Sequence, residues 1–501
     1  DPARLASWSA TAVEVRVRRT DEQIDGLDAT FRDLVAAPAP RPAPSPIRRV
    51  LFVVGIDGAP LRYRAHLPAE ALSLLGVGSD VRHYRDPDVP ALAAAADAVV
   101  VYRVPATVQV LGLLGDLRRD RPQVPLLFDV DDLIFDPDLA DEIPALKVLP
   151  PDEAALWLEG VRRYRTTMEA CDAFIGSTDL LCRHATEVTG LPAHRFANGV
   201  GRLLAARSDA ALRRPRRAGP LRVGYFSGTT THDRDWAEVE PAVLDVLAAV
   251  PDAELWLGGH LNPSPAVDAL GARVRRIPMQ EWHALPELLR DLDVNLAPLE
   301  PLVRFNEAKS AIKWLEAALC ATPTIASPTQ PFAEVVRTGV NGFLADGEGE
   351  WRDALHALLA DDVLRASVGA RARRDALLSL SPHLQASRYL DLLERARQAV
   401  ADGRPERASA FTSVALDEPA MPSPLQAYTD QPVVLPEPAP AAARSRTGRV
   451  LVGLRRRAGT VRAAARSEGL WPASGQVLRG VRRDAGRVVR ALRRRLRGGP
   501  T

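Results

Sequence analysis

Short apolar runs alternate with helix-period stretches from about residue 47 to about residue 401. RVLFVV (Arg49–Val54), VRHYR (Val81–Arg85), AVVVY (Ala98–Tyr102), PLLFDV (Pro125–Val130) and DAFIGS (Asp172–Ser177) read as five strands with helical stretches between them. An Arg-rich, Pro-containing segment, Arg202 to Pro220, interrupts the pattern. The rhythm then restarts with LRVGYFS (Leu221–Ser227), AELWLGG (Ala253–Gly259), VRRIP (Val274–Pro278), VNLAPL (Val294–Leu299), TPTIAS (Thr322–Ser327) and GFLA (Gly342–Ala345). Strands buried on both faces and separated by helices predict parallel sheets built from βαβ units. The expected fold class is therefore α/β, with two domains of similar size in tandem, over 47–201 and 202–401. Right-handed crossovers put the carboxyl ends of the strands on one edge, where ligands collect. Two such domains facing each other predict a site in the cleft between them.

The flanks read differently. Residues 1–46 hold one charged, helix-compatible stretch, Thr20 to Val35, and the stiff Pro-rich run APAPRPAPSP, Ala37 to Pro46. A second Pro-rich linker falls within 402–443, and a basic tail covers 444–501. From Leu478 the apolar residues Val481, Ala485, Val488, Val489, Leu492 and Leu496 recur at helical spacing among arginines. That pattern predicts a basic amphipathic helix suited to an anionic membrane surface. A solvated basic end and a nucleic-acid-binding arm are the rivals. The stripe favours the membrane, because attraction to phosphate alone needs no apolar periodicity, so no nucleic-acid partner is expected.

The net charge of +2 hides this asymmetry. Residues 441–501 hold 17 Arg against Glu468 and Asp484, a charge of +15; the other 440 residues carry 48 basic and 61 acidic groups, or −13. No run approaches 18 uncharged apolar residues, so no membrane-spanning helix is expected. Cys171, Cys182 and Cys320 form no metal or disulfide spacing, and a reduced, cytoplasmic setting follows as the expectation. Of 65 basic residues only Lys147, Lys309 and Lys313 are lysines. In a chain that uses Arg wherever a generic positive charge will do, two lysines four residues apart ask for a reason.

The segment after Val294–Leu299 predicts a helix from about Glu307 to Leu319, with Lys309, Lys313 and Glu316 on one stripe. Cations in the first turns of a helix oppose its dipole unless an anion also binds there. A phosphate reconciles the two, with Asn306 and Ser310 as further hydrogen-bonding groups. A solvated face with a Lys313–Glu316 pair is the plainer alternative. SGTTTHDRDW, Ser227 to Trp236, is a small-residue loop after a strand. Ser227, Gly228 and Thr229 can offer backbone N–H groups to a phosphate, and His232 and Arg234 add polar and positive groups. The same stretch predicts Asp235 as a helix N-cap with Glu238 closing a capping box.

FDVDDLIFD, Phe128 to Asp136, clusters Asp129, Asp131, Asp132 and Asp136 at a strand end. Carboxylates there can orient a hydroxyl of a bound ligand. The stretch also looks like the first motif of haloacid-dehalogenase-type phosphatases, with Asp129 as nucleophile and Asp131 as general acid. Asp residues capping a loop are the structural alternative. GIDGAPLRYR places Gly58 in a loop after the first strand, with Arg62, Tyr63 and Arg64 opening a helix; Gly58, Arg62 and Arg64 are candidates to face the cleft. Solvated arginines are the alternative there. His66, His83 and His184 stand alone and read as structural.

Three stretches together resemble family 4 glycosyltransferases, which have the two-domain GT-B fold. Glu316-Ala317-Ala318-Leu319-Cys320-Ala321-Thr322-Pro323-Thr324-Ile325-Ala326-Ser327 is similar to that family's donor-site helix and following strand. Gly339–Ala345 is similar to its next Gly-rich turn, and Ala197–Gly201 to the segment that closes its first domain. The resemblance covers roughly residues 47–400. It implies two facing Rossmann-like domains, the second holding a nucleotide-diphosphate sugar. Glu316 matches the second of two family Glu residues that contact donor sugar and ribose. Ala308 takes the place of the first, with Glu307 beside it. FNEAKSAIKWLEA resembles a bacterial surface-polysaccharide branch of these enzymes.

The function expected is transfer of a sugar, a hexose or deoxyhexose, from a nucleotide-diphosphate donor to a glycan or lipid-linked acceptor. The resemblance implies retention of configuration. Lys309, Lys313 and Arg234 are expected near the diphosphate, and the resemblance implies that Asp131 and Asp132, with Gly58, Arg62 and Arg64, lie on the acceptor side across the cleft. No metal and no resident cofactor is expected, because cations of the protein would neutralise the leaving group. The enzyme would sit peripherally at the inner face of the plasma membrane. The phosphatase and a non-catalytic scaffold that keeps the fold are the alternatives.

Overall fold

The computed structural model describes residues 46–56, 59–143, 146, 149–227 and 232–404. Gly58, Gly228, Thr229, the Thr20–Val35 stretch, the first Pro-rich run up to residue 45 and the chain from residue 405 onward lie outside the described residues. All described residues belong to one compact unit of the chain.

Two six-stranded parallel sheets form the body. The first contains β1 (Arg49–Val54), β2 (Gly78–His83), β3 (Ala98–Tyr102), β4 (Leu126–Val130), β5 (Ala173–Gly176) and β6 (Ala193–Arg195), in the order β2-β1-β3-β4-β5-β6. The second contains β7 (Arg222–Ser227), β8 (Glu254–Gly259), β9 (Val274–Ile277), β10 (Val294–Ala297), β11 (Thr324–Ala326) and β12 (Phe343–Leu344), in the order β12-β11-β10-β7-β8-β9. This is the expected two-domain, Rossmann-like layout. Strands β3 and β4 are buried at every position, as apolar runs covered by helices on both faces must be.

Strand order fixes where chemistry can gather. The chain reverses direction across the sheet between β1 and β3 in the first domain and between β7 and β10 in the second. Helices leave to opposite faces at such a switch point, and a crevice opens at the carboxyl ends of the strands. At the first switch point Gly55 donates to the Tyr102 carbonyl at 2.9 Å. A Cβ on Gly55 would lie 2.0 Å from the Arg103 carbonyl oxygen, so only glycine lets these strand ends close.

Two departures from the sequence pattern bear on the domain layout. The segment expected to interrupt the fold after Arg202 is a helix, Arg202–Arg213, which buries Leu203, Leu204, Ser208 and Ala211. The helix Pro382–Asp402, expected within the second domain, returns to the first. Its Tyr389, Leu392, Leu393 and Ala396 pack in one cluster with Val50, Phe52, Val100 and Phe196. Residues 202–401 are therefore not a separate packing unit, and this helix ties the two halves together.

Candidate functional site

The cleft floor on the second domain starts at Tyr225 of β7, which is buried and stacks on Trp236 with ring centroids 5.6 Å apart. Lys313 donates from Nζ to the Tyr225 hydroxyl at 3.2 Å and sits 4.3 Å from the ring centroid. Burial pushes its ammonium down to about 8, with Lys309 adding to the fall and Asp235 opposing it. One helical turn on, Glu316 accepts a hydrogen bond from the Tyr63 hydroxyl of the first domain. Burial raises its carboxyl to about 7, against the pull of Tyr63 and Lys313.

Lys309 does not share the helix. The expected helix from Glu307 to Leu319 is broken into a short turn, Arg304–Glu307, and a helix, Ile312–Leu319. Ala308 between them is buried in the first domain's core, and Phe305 packs against the same cluster. The Thr178 hydroxyl donates to the Ala308 carbonyl at 3.1 Å, and Asn198 donates to the Ser310 hydroxyl at 2.8 Å. This docking explains the alanine where the resemblance has a glutamate, since a carboxylate there would be driven into an apolar core. Glu307 turns elsewhere and accepts from the Gln330 backbone at the start of the helix Gln330–Val335. Ser310 lines a cavity of about 610 Å³ with Asn198, Trp314, Arg337 and Gln385, and that cavity includes none of Lys309, Lys313, Glu316 or His232.

Asp235 organises the loop after β7. It is not the expected N-cap: the short helix is Asp233–Ala237, with His232 at the N-cap position and no side-chain cap bond. The buried Asp235 carboxylate accepts from the Glu300 backbone at 2.8 Å, from Asn306 at 3.1 Å and from His232 Nδ1 at 2.7 Å. Burial lowers the His232 imidazole to about 4, and Lys313 and Lys309 add to the fall against Asp235. Burial opposes ionisation of Asp235, yet His232 and Lys309 hold its carboxyl below the usual range. Ser227 is buried at the end of β7. Arg234 points outward, 56% exposed, and lies 3.6 Å from Glu300.

Across the cleft the Asp cluster separates by depth. Asp129 is buried, and both its oxygens are taken by Arg64, whose Nε and Nη2 each donate at 2.8 Å. Arg64 also donates to the Phe196 carbonyl at 2.7 Å and to Asn198 at 3.0 Å. Arg64 is thus a buried internal bond and not an acceptor-side contact. Asp129 is equally withdrawn, which removes the phosphatase alternative, since its nucleophile must reach a phosphorus atom. Asp131 accepts from the Tyr102 hydroxyl at 2.9 Å and from Arg103 Nη2 at 2.6 Å. Burial would raise the Asp131 carboxyl, but Arg103 and Arg64 hold it below the usual range. Asp132, also paired with Arg103, is 28% exposed and is the carboxylate most open to the cleft. Asp136 turns away and accepts from His184 Nε2 at 2.8 Å, while Arg304 donates to His184 Nδ1 at 3.0 Å. His184 therefore does not stand alone.

Arg103, Tyr63, Tyr225 and Trp282 belong to this cleft and were not among the sequence candidates. Arg103 adopts φ +47, an uncommon conformation for an arginine, at the strand end opposite Gly55. Arg62 lies in a π-helical turn, Arg62–His66, and not in a regular helix start. Its guanidinium stacks 4.1 Å from the Trp282 centroid and pairs with Glu70. The π-turn therefore reaches the second domain twice, through Arg62 and through Tyr63. Among the described residues no group of three His, Cys, Asp or Glu could hold a metal ion.

The donor-like half of this cleft coincides with a recognisable sequence segment. Residues 226–361 match the family model described as "Glycosyl transferases group 1". A D-inositol 3-phosphate glycosyltransferase of Xylanimonas cellulosilytica is 38% identical over 128 residues, which cover 23% of this chain and 29% of that protein. One from Rhodococcus opacus is 30% identical over 130 residues, 26% of each chain. The chain thus spans 29% or less of the length of these two relatives. A solved glycosyltransferase structure from Rickettsia africae superposes with a TM-score of 0.50 at 11% identity, covering 70% of this chain and 99% of its own. At that identity the likeness is one of fold, and the fold is the two-domain GT-B layout of glycosyltransferases.

Proposed function

We propose that this chain is a glycosyltransferase, transferring a sugar from a nucleotide-diphosphate donor to a glycan or lipid-linked acceptor. The observation that carries this reading is the second switch point. A half-buried lysine, a second lysine and a partly exposed histidine held by a buried aspartate converge there, inside the segment that matches a glycosyltransferase family model. Lys313 and Lys309 neutralise the diphosphate as the sugar–oxygen bond breaks, a preorganised electrostatic role. Glu316 accepts from the ribose hydroxyls. Asp131 and Asp132, held by Arg103, face the acceptor, with Asp132 the more exposed of the two.

The finer reading places the enzyme in the family 4 type, in a bacterial surface-polysaccharide branch, moving a hexose or deoxyhexose with retention. Thermal-shift measurement against a panel of nucleotide-sugars tests the core of it, because a ligand that binds only the folded chain raises its melting point. At least one donor at millimolar concentration is expected to raise Tm by several degrees. A flat panel would sink the reading.

Peripheral attachment at the inner face of the plasma membrane is a separate part of the proposal, supported by the apolar stripe among the arginines of 478–497. Full-length chain is expected to pellet with anionic vesicles, and chain lacking 441–501 to stay in solution. Equal pelleting would overturn the attachment.

A further inference from the structure

The His232–Asp235 pair is built more firmly than a donor-loop contact requires. Asp235 is 3% exposed, and its two oxygens hold three partners from separate segments: His232, the Glu300 backbone and the Asn306 amide. Asn306 is itself buried and donates a second time, to the Glu300 carbonyl at 3.1 Å. The carboxylate therefore cannot swing, and it fixes the imidazole with Nδ1–H pointing inward. The His232 side chain keeps 19% exposure. With Nδ1 on the buried carboxylate, Nε2 is the ring atom left for a ligand.

The charges facing this ring come from three elements. Asp235 lies on its own short helix, Lys313 on the helix Ile312–Leu319, and Lys309 in the link between that helix and the turn Arg304–Glu307. Burial disfavours a proton on the ring, and the two ammonium groups add their repulsion. Asp235 alone favours it. An anion that settles on the lysines moves this balance toward the proton: it cancels their repulsion and adds its own attraction, against burial.

We propose that His232 gains a proton when a nucleotide diphosphate enters the cleft, and then donates a hydrogen bond from Nε2 to a diphosphate oxygen. This rests on the glycosyltransferase reading for the identity of the anion. The proton comes from solvent, and no covalent bond changes. The bound diphosphate then meets three cations where the free protein holds two, which matches the added cation to the charge that needs it. Asp235 serves as the positioning residue that keeps the imidazolium in place.

Titration calorimetry tests the proposal. UDP-glucose, UDP-N-acetylglucosamine and GDP-mannose are suitable probes, because their diphosphates do not themselves titrate near neutral pH. Binding heats at pH 6.5 in MES and in imidazole buffers give the protons taken up per ligand bound. For whichever probe binds, the wild-type chain is expected to take up between about half a proton and one proton more than His232→Gln. Its affinity is also expected to fall by up to about tenfold per pH unit from 6 to 7.5 relative to that variant. Taking the difference between the two proteins removes the opposite contribution of Glu316, which titrates in the same window. Equal proton uptake by two proteins that both bind overturns this inference and leaves the glycosyltransferase reading intact. Failure of every probe to bind the wild-type chain overturns both. His232→Gln is expected to melt within a few degrees of wild type, since its ring is partly exposed.

Discussion

Replacing Arg64 with alanine is expected to cost about 3–5 kcal/mol of folding stability, the range for breaking a buried ion pair by removing one partner. The guanidinium is fully buried and makes four hydrogen bonds, two to Asp129, one to the Phe196 carbonyl and one to Asn198. Its loss strands a carboxylate among β4 neighbours that are all buried. Burial already raises Asp129 to about 6, against the pull of Arg64. Without that pull the carboxyl rises further above its unfolded value of about 3.9. The sign follows from linkage. A carboxyl whose folded pKa is raised costs nothing below the unfolded pKa and costs most above the folded one. The part of the Arg64→Ala deficit that comes from Asp129 should therefore be absent near pH 4 and grow from about pH 6 toward 8, on top of a pH-independent loss of the bonds to Phe196 and Asn198. Denaturant unfolding at several pH values measures it. A deficit below about 1 kcal/mol at pH 8, or one independent of pH, would show that the pair is not the structural bond described. Arg64→Met with Asp129→Leu should recover much of the loss, because apolar replacement of both partners removes the stranded charge.

Arg64 also shows why much of the site was illegible in the sequence. An arginine at a helix start reads as solvated or ligand-facing, and nothing local signals burial. What decides is Asp129, 65 positions away, which becomes a neighbour only once β1 and β4 join one sheet. The strands themselves were legible, because a parallel sheet covered on both faces needs unbroken apolar runs, as in Ala98–Tyr102. Strand β6, Ala193–Arg195, escaped notice because it is three residues long and nowhere buried. The helix Arg202–Arg213 was hidden by its arginines, although Leu203, Leu204 and Ala211 mark a buried face that helical spacing could have revealed. At the lysines the helical stripe holds for Lys313 and Glu316 and fails for Lys309. Lys309 and Lys313 are four apart, but Ala308 is held down by the first domain, and docking overrides local propensity. Arg103 left one trace, its place directly after an apolar strand, matching Gly55 after β1. A positive φ cannot be read from that trace.

Lys313→Ala is expected to weaken nucleotide-diphosphate binding tenfold or more, at least about 1.4 kcal/mol, and to slow transfer by about 100-fold or more. The larger kinetic loss follows because charge builds on the leaving diphosphate in the transition state, where a fixed cation in a partly dry site matters most. Lys309→Ala should cost less, since Lys309 lies 5.5 Å from the Phe305 centroid, off the helix that carries Lys313 and Glu316. Two further readouts separate a binding role from a structural one. The first is stability. The folded pKa of Lys313, about 8, lies below its unfolded value, so at neutral pH the protonated ammonium costs folding energy, and that cost fades only as pH rises through 8. Lys313→Ala should therefore melt no lower than wild type at pH 7 while it loses affinity. The second is pH. Wild-type affinity for the donor should decline above about pH 8, as the ammonium deprotonates. Lys313→Arg should bind less tightly than wild type at pH 7, because a planar fork replaces a compact charge over the Tyr225 ring, yet show no such decline, because guanidinium stays charged. Wild-type donor affinity and turnover in both Ala variants would remove the lysines from the site, and with them the reason this chain spends two of its three lysines so close together in sequence.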